Sequence, residues 1–99
     1  MLVAFSVAPS ISEPDGSVHD AVAKAVRIVR ESGLPNRTDA MFTTIEGDWD
    51  EVMDVIRRAT DAVLEASPRA SLVMKADIRP GASGELDGKL ERLEQALDR

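Results

Sequence analysis

Apolar and polar residues change their period several times along the chain, and each change marks an element. Leu2-Val-Ala-Phe-Ser-Val-Ala8 is short and rich in β-formers, sets Val3, Phe5 and Val7 against Ala4 and Ser6, and is halted by Pro9. It predicts a first strand. Ser10 to Gly16 carries the Ser, Pro, Asp and Gly of a loop, and Ser17-Val-His-Asp20 offers a helix start in which the Ser hydroxyl can satisfy an orphan N–H. Val18, Ala21, Val22, Ala25, Val26 and Val29 then recur at helical spacing and predict one buried face. Gly33 and Pro35 end this helix near Ser32.

Between Asn36 and Gly47 the run Ala40-Met-Phe-Thr-Thr-Ile-Glu46 predicts two short strands joined by a tight turn near Asp39 to Met41. Asp48 caps a second helix, with Asp50 and Glu51 in the dipole-favoured first turn and Val52, Val55, Ile56, Ala59 and Val63 along one side, and Ser67-Pro68 stops it. Ser71 to Arg79 alternates: Leu72, Met74, Ala76 and Ile78 share one face, and Ser71, Val73, Lys75, Asp77 and Arg79 the other. After Pro80-Gly-Ala-Ser-Gly84, Leu86, Leu90, Leu93 and Leu97 form a narrow helical seam suited to docking. The order β-α-β-β-α-β plus a C-terminal helix predicts a ferredoxin-like α+β fold, an antiparallel sheet with helices on one face and the other face open.

A length of 99 residues has room for one domain and one core, so residues 1–99 are read as a single domain. Two Phe, one Trp and no Tyr leave the core to Val, Ala, Leu, Ile and Met. Domains this small bury a modest share of their surface, which makes self-association an expected source of further burial. The formal charge of −6, with no basic stripe, argues against nucleic acid as a partner. With no cysteine there is no disulfide, thiolate metal site or cysteine nucleophile. The opening segment is too short for a signal peptide and lacks its basic flank, and the expected compartment is the cytoplasm, with no membrane partner.

If strands one, three and four are neighbours, the open face gathers Ser6, Thr44, Glu46, Lys75, Asp77 and Arg79. Glu46 and Asp77 could accept hydrogen bonds from an amino group and face a positive ring, with Ser6, Thr43 or Thr44 giving directional contacts. The other reading is a mutual ion-pair network, at the surface or between subunits, in which Lys75 and Arg79 take part. Strict alternation puts Thr43 and Thr44 on opposite faces, and a bulge would exchange them, so both are candidates. His19, in a first helical turn without a nucleophile at readable spacing, reads as solvated and structural, and it has no partners for a metal site. Trp49 reads as a helix-end anchor, with stacking on a ligand ring as the alternative.

Other functions of the same element order fit poorly. RNA recognition needs exposed aromatics on the inner strands, yet Phe5 is placed toward the helices. Acyl-phosphate hydrolysis needs an anion cradle after the first strand, where Ser10 to Gly16 supplies acidic groups instead. An amino-acid-sensing regulatory module shares the same order of elements and stays an alternative, although no attached enzyme domain is expected for it to regulate. A small cofactor-independent oxygenase would need an acid-base pair beyond the two carboxylates.

Ser32-Gly-Leu-Pro35, Met41-Phe-Thr-Thr-Ile-Glu-Gly47 and Lys75-Ala-Asp-Ile-Arg79 together resemble the small thiamine-binding, YkoF-like proteins over nearly the whole chain. Met41, Thr43, Ile45, Glu46 and Gly47 match that family's middle motif, while Phe42 and Thr44 depart from it, Phe42 standing where Gly is usual. The late motif matches through Asp77 and Arg79. The resemblance implies a ferredoxin-like fold, sheets packed back to back in dimers that pair into tetramers, and binding of thiamine or its hydroxymethylpyrimidine portion without turnover. No cofactor is implied, and the chain is expected not to be an enzyme. The acidic site would favour thiamine over its diphosphate unless Lys75 and Arg79 turn toward the phosphates. The alternative is an oligomeric assembly or regulatory protein without a small ligand.

Overall fold

The computed structural model describes residues 1–10 and 19–99. Its elements are β1 (Leu2–Pro9), α1 (His19–Glu31), β2 (Asn36–Thr38), β3 (Thr43–Glu46), α2 (Trp49–Leu64), β4 (Ala70–Asp77) and α3 (Glu85–Leu97). The four strands form one antiparallel sheet in the order β2-β3-β1-β4, which is the ferredoxin-like α+β arrangement. The expected helix start at Ser17 and the apolar position Val18 lie outside the described residues.

Pairing fixes the faces. Phe5 opposes Thr43 on β3 and Met74 on β4, and Val3 opposes Ile45 and Ala76, so these residues share the helix side of the sheet. Val3, Phe5, Val7 and Ile45 pack there against Ala25 and Val29 of α1 and Val52, Val55, Ile56, Ala59 and Val63 of α2. The same register puts Leu2, Ala4, Ser6, Thr44, Glu46, Val73, Lys75 and Asp77 on the opposite face.

The expected helix ends are built from local polar chemistry. Ser32 Oγ donates to the Val29 carbonyl at 2.6 Å, and Gly33 takes φ 80°, a left-handed conformation that costs a glycine little. Asp48 precedes α2 and its N–H donates to the Glu51 carboxylate at 3.3 Å, while Asp50 and Glu51 lie at the positive end of the helix dipole. After α2, the buried Ser67 ties the far ends of β1 and β4 together: its hydroxyl donates to the Arg69 carbonyl at 2.6 Å and accepts from the Ser10 N–H at 3.0 Å.

The apolar faces of β4 and α3 are left largely uncovered. Of the four strands, α1 and α2 each pack chiefly on β1, so Leu72 and Met74, on the helix side of an edge strand, remain 39% and 46% exposed. α3 buries no residue, and Leu90, Leu93 and Leu97 are more than half exposed. β4 ends at Asp77 rather than Arg79, leaving Ile78 and Arg79 just beyond the sheet.

Ile45 is fully buried at the sheet centre, so Ile45→Ala should lower unfolding free energy by about 3 kcal/mol through lost burial and a residual cavity. Urea titration measures this, and a loss below about 1 kcal/mol would contradict the core assignment.

Candidate functional site

The residues expected to carry binding divide between two regions. On the open face, Leu2 opposes Glu46 on one side and Asp77 on the other, and Ala4 opposes Thr44 and Lys75. Glu46 and Asp77 are thus two strand spacings apart, roughly 10 Å between backbones. Neither carboxylate is idle. Glu46 is buried, and its two oxygens accept the N–H groups of Glu85 at 2.8 Å and Leu86 at 3.1 Å, satisfying the first turn of α3. Asp77 accepts a hydrogen bond from Lys89 of α3, and this contact, followed by the Lys89, Arg79 and Lys75 charges, holds its carboxyl below the usual range. With the Arg37–Asp87 ion pair, these groups fasten the start of α3 over that end of the open face. A cavity of about 330 Å³ lies beside this attachment, bounded by Met1, Leu34, Glu46, Gly47 and Gly84.

Thr43 faces the other way. It lines a cavity of about 300 Å³ on the helix side of the sheet, enclosed by β1, α1 and the β2–β3 hairpin. Phe5 and Val7 contribute from the sheet, and Val22, Ala25, Val26 and Val29 from α1. The hairpin supplies polar groups: the Thr38 and Thr43 hydroxyls meet at 3.0 Å, and Asp39 stands at the turn. Asp39 Oδ1 accepts the N–H groups of Met41 at 2.8 Å and Phe42 at 2.9 Å. Those hydrogen bonds, Phe42's first and Met41's second, lower its pKa, so it is ionised at neutral pH. Ser6 borders the cavity, although strand alternation sends its side chain to the open face.

Among the described residues the lining contains no Lys or Arg; Asp39 is its one carboxylate and His19 its one imidazole. Mostly apolar walls with a few convergent polar groups suit a small, flat, partly polar molecule, and the volume is at the small end for ligand sites. No group of three or more His, Cys, Asp or Glu side chains able to hold a metal ion occurs among the described residues.

The sequence profile of the family described as thiamine-binding protein matches residues 3–94. The chain belongs to this thiamine-binding protein family. It is 50% identical over 99 residues to the UPF0045 protein Mb1933 of Mycobacterium bovis, covering 98% of this chain and 94% of that one. The crystal structure of protein MJ1052 from Methanocaldococcus jannaschii superposes with a TM-score of 0.83 at 28% identity, covering 94% of each chain. A Thermotoga maritima structure, whose name suggests thiamine biosynthesis or salvage, shares the fold with a TM-score of 0.75 at 23% identity, covering 92% of this chain and 97% of that one.

Within this member of the thiamine-binding protein family, the choice between Thr43 and Thr44 follows from register: Thr43 lines the helix-side cavity and Thr44 faces the open side. Lys75 lies on the open face, and Asp77 with Arg79 borders only a notch of about 10 Å³. Trp49 opens α2 with 55% of its surface exposed. Three cavity residues had no functional signal in the sequence. Asp39 reads as turn chemistry, His19 as a solvated helix start, and Val26 as ordinary core.

Loss of a carboxylate cap costs about 1–2 kcal/mol, so Glu46→Ala should speed hydrogen exchange at the Glu85 and Leu86 amides by roughly tenfold or more. Glu46→Gln keeps one acceptor and should have a smaller effect. Unchanged protection in Glu46→Ala would mean that something other than this carboxylate holds α3.

Proposed function

We infer that the protein binds thiamine or its hydroxymethylpyrimidine moiety without turnover, acting in the cytoplasm as a carrier, buffer or sensor. The observation that carries this reading is the cavity between α1, β1 and the hairpin, whose apolar walls carry the Thr38–Thr43 hydroxyl pair and whose described lining has no Lys or Arg. Thiamine combines a permanently positive ring with an aminopyrimidine that both donates and accepts hydrogen bonds. An apolar slot suits its ring faces, and hydroxyls can meet the pyrimidine edge. Membership of the thiamine-binding protein family favours this ligand class over others of similar size. Among the described residues no helix is long and apolar enough to cross a membrane.

A second reading, an oligomeric assembly or regulatory protein without a small ligand, draws support from the uncovered surfaces. α3 buries nothing, and the edge strand β4 exposes Leu72, Val73 and Met74. A partner surface of about 800 Å² per chain is typical of a stable dimer. Self-association as a dimer or tetramer therefore belongs to both readings, and in the first it accompanies ligand binding.

Titration calorimetry separates the readings. Thiamine and hydroxymethylpyrimidine should bind saturably, and Thr43→Val should weaken binding by about fivefold, the scale of one lost hydrogen bond. Absence of binding by either compound at millimolar concentration would move the assignment to the assembly protein. In light scattering, Leu90→Asp should shift the protein toward smaller species while leaving thiamine affinity in place. An unchanged mass would remove the α3 seam from the interface.

A further inference from the structure

Resting on the binding function above, we propose that Asp39 is the counter-charge at this cavity, and that it makes the site selective for a cationic, unphosphorylated heterocycle. The hairpin places the carboxylate at the cavity's border beside the Thr38–Thr43 pair. Its Oδ1 is held by the Met41 and Phe42 N–H groups, and Oδ2 makes no hydrogen bond to any described residue. Asp39 is exposed at the turn, so a charged ligand can reach it without the cost of a deeply buried ion. The opposite wall is the apolar face of α1, including Val22 and Val26, with His19 as its one titratable side chain.

This division of labour fixes what binds. Ring faces contact α1 and β1, while the positive centre lies toward the hairpin turn. A phosphate ester adds negative charge, and among the described residues the lining has no Lys or Arg to receive it. Asp39 was legible in the sequence only as a turn former, and its second role depends on the cavity beside it.

Asp39→Asn tests the charge alone, because the amide oxygen can keep both turn hydrogen bonds. Calorimetry should find thiamine binding weakened by roughly tenfold, the scale of one charge-assisted contact. Hydroxymethylpyrimidine, uncharged at mildly alkaline pH, should change by less than about twofold. The wild-type preference for thiamine over thiamine diphosphate should shrink, and the salt dependence of thiamine binding should flatten. If the wild type binds thiamine and Asp39→Asn binds it equally well with the same salt dependence, the selectivity role is overturned while the binding function stands. If the wild type binds neither thiamine nor hydroxymethylpyrimidine, the binding function fails and the selectivity role fails with it.

Discussion

β1 is paired along both edges but covered on only one face, and this constraint organises the molecule. Val3, Phe5 and Val7 supply the helix side with its central apolar row, and β3 and β4 take their registers from the same strand. A slip of one residue would send these three side chains to the open face and bring Ala4 and Ser6 inward. α1 and α2 are drawn to this row and leave β4 at the margin. From that one packing choice follow a buried centre, an uncovered edge strand and an open face that α3 reaches only at one end.

The same geometry separates two kinds of polar residue. Where α1 and the hairpin stand apart over β1, the described residues leave a cavity with Thr38, Thr43 and Asp39 along one wall. On the opposite face Glu46 and Asp77 are committed to α3, the first through backbone N–H groups and the second through Lys89. Both Glu46 oxygens are turned to the start of α3, one to each backbone N–H. Asp39 takes both of its turn hydrogen bonds on Oδ1, and its Oδ2 has no hydrogen-bond partner among the described residues. The motif Thr43-Thr44-Ile45-Glu46 thus serves two purposes on alternate residues, lining a cavity with Thr43 and anchoring a helix with Glu46.

Much of the fold was legible because its signals are local. The alternation of β1, the apolar spacing of α2, Asp48 before that helix, and Gly33 after α1 each follow from backbone chemistry within a few residues. The open-face row was legible too, since strand alternation together with the usual strand order puts Thr44, Glu46, Lys75 and Asp77 on one side. The partner of Glu46 was not legible. It lies 39 residues away at the start of α3, and no local pattern says where a terminal helix will land. The cavity was hidden for a related reason: Val22, Val26 and Phe5 carry the same periodic signal whether they close a core or line a void. Only the separation of α1 from the hairpin distinguishes the two.

The most direct test of ligand binding in the helix-side cavity is an amide-resolved NMR titration of the labelled protein with thiamine. The shifted amides should cluster in β1 around Phe5 to Ala8, in the hairpin from Thr38 to Thr43, and on the α1 face that carries Val22 and Val26. Shifts confined to Thr44, Lys75, Asp77 and the start of α3 would place the ligand on the open face and contradict binding in the helix-side cavity.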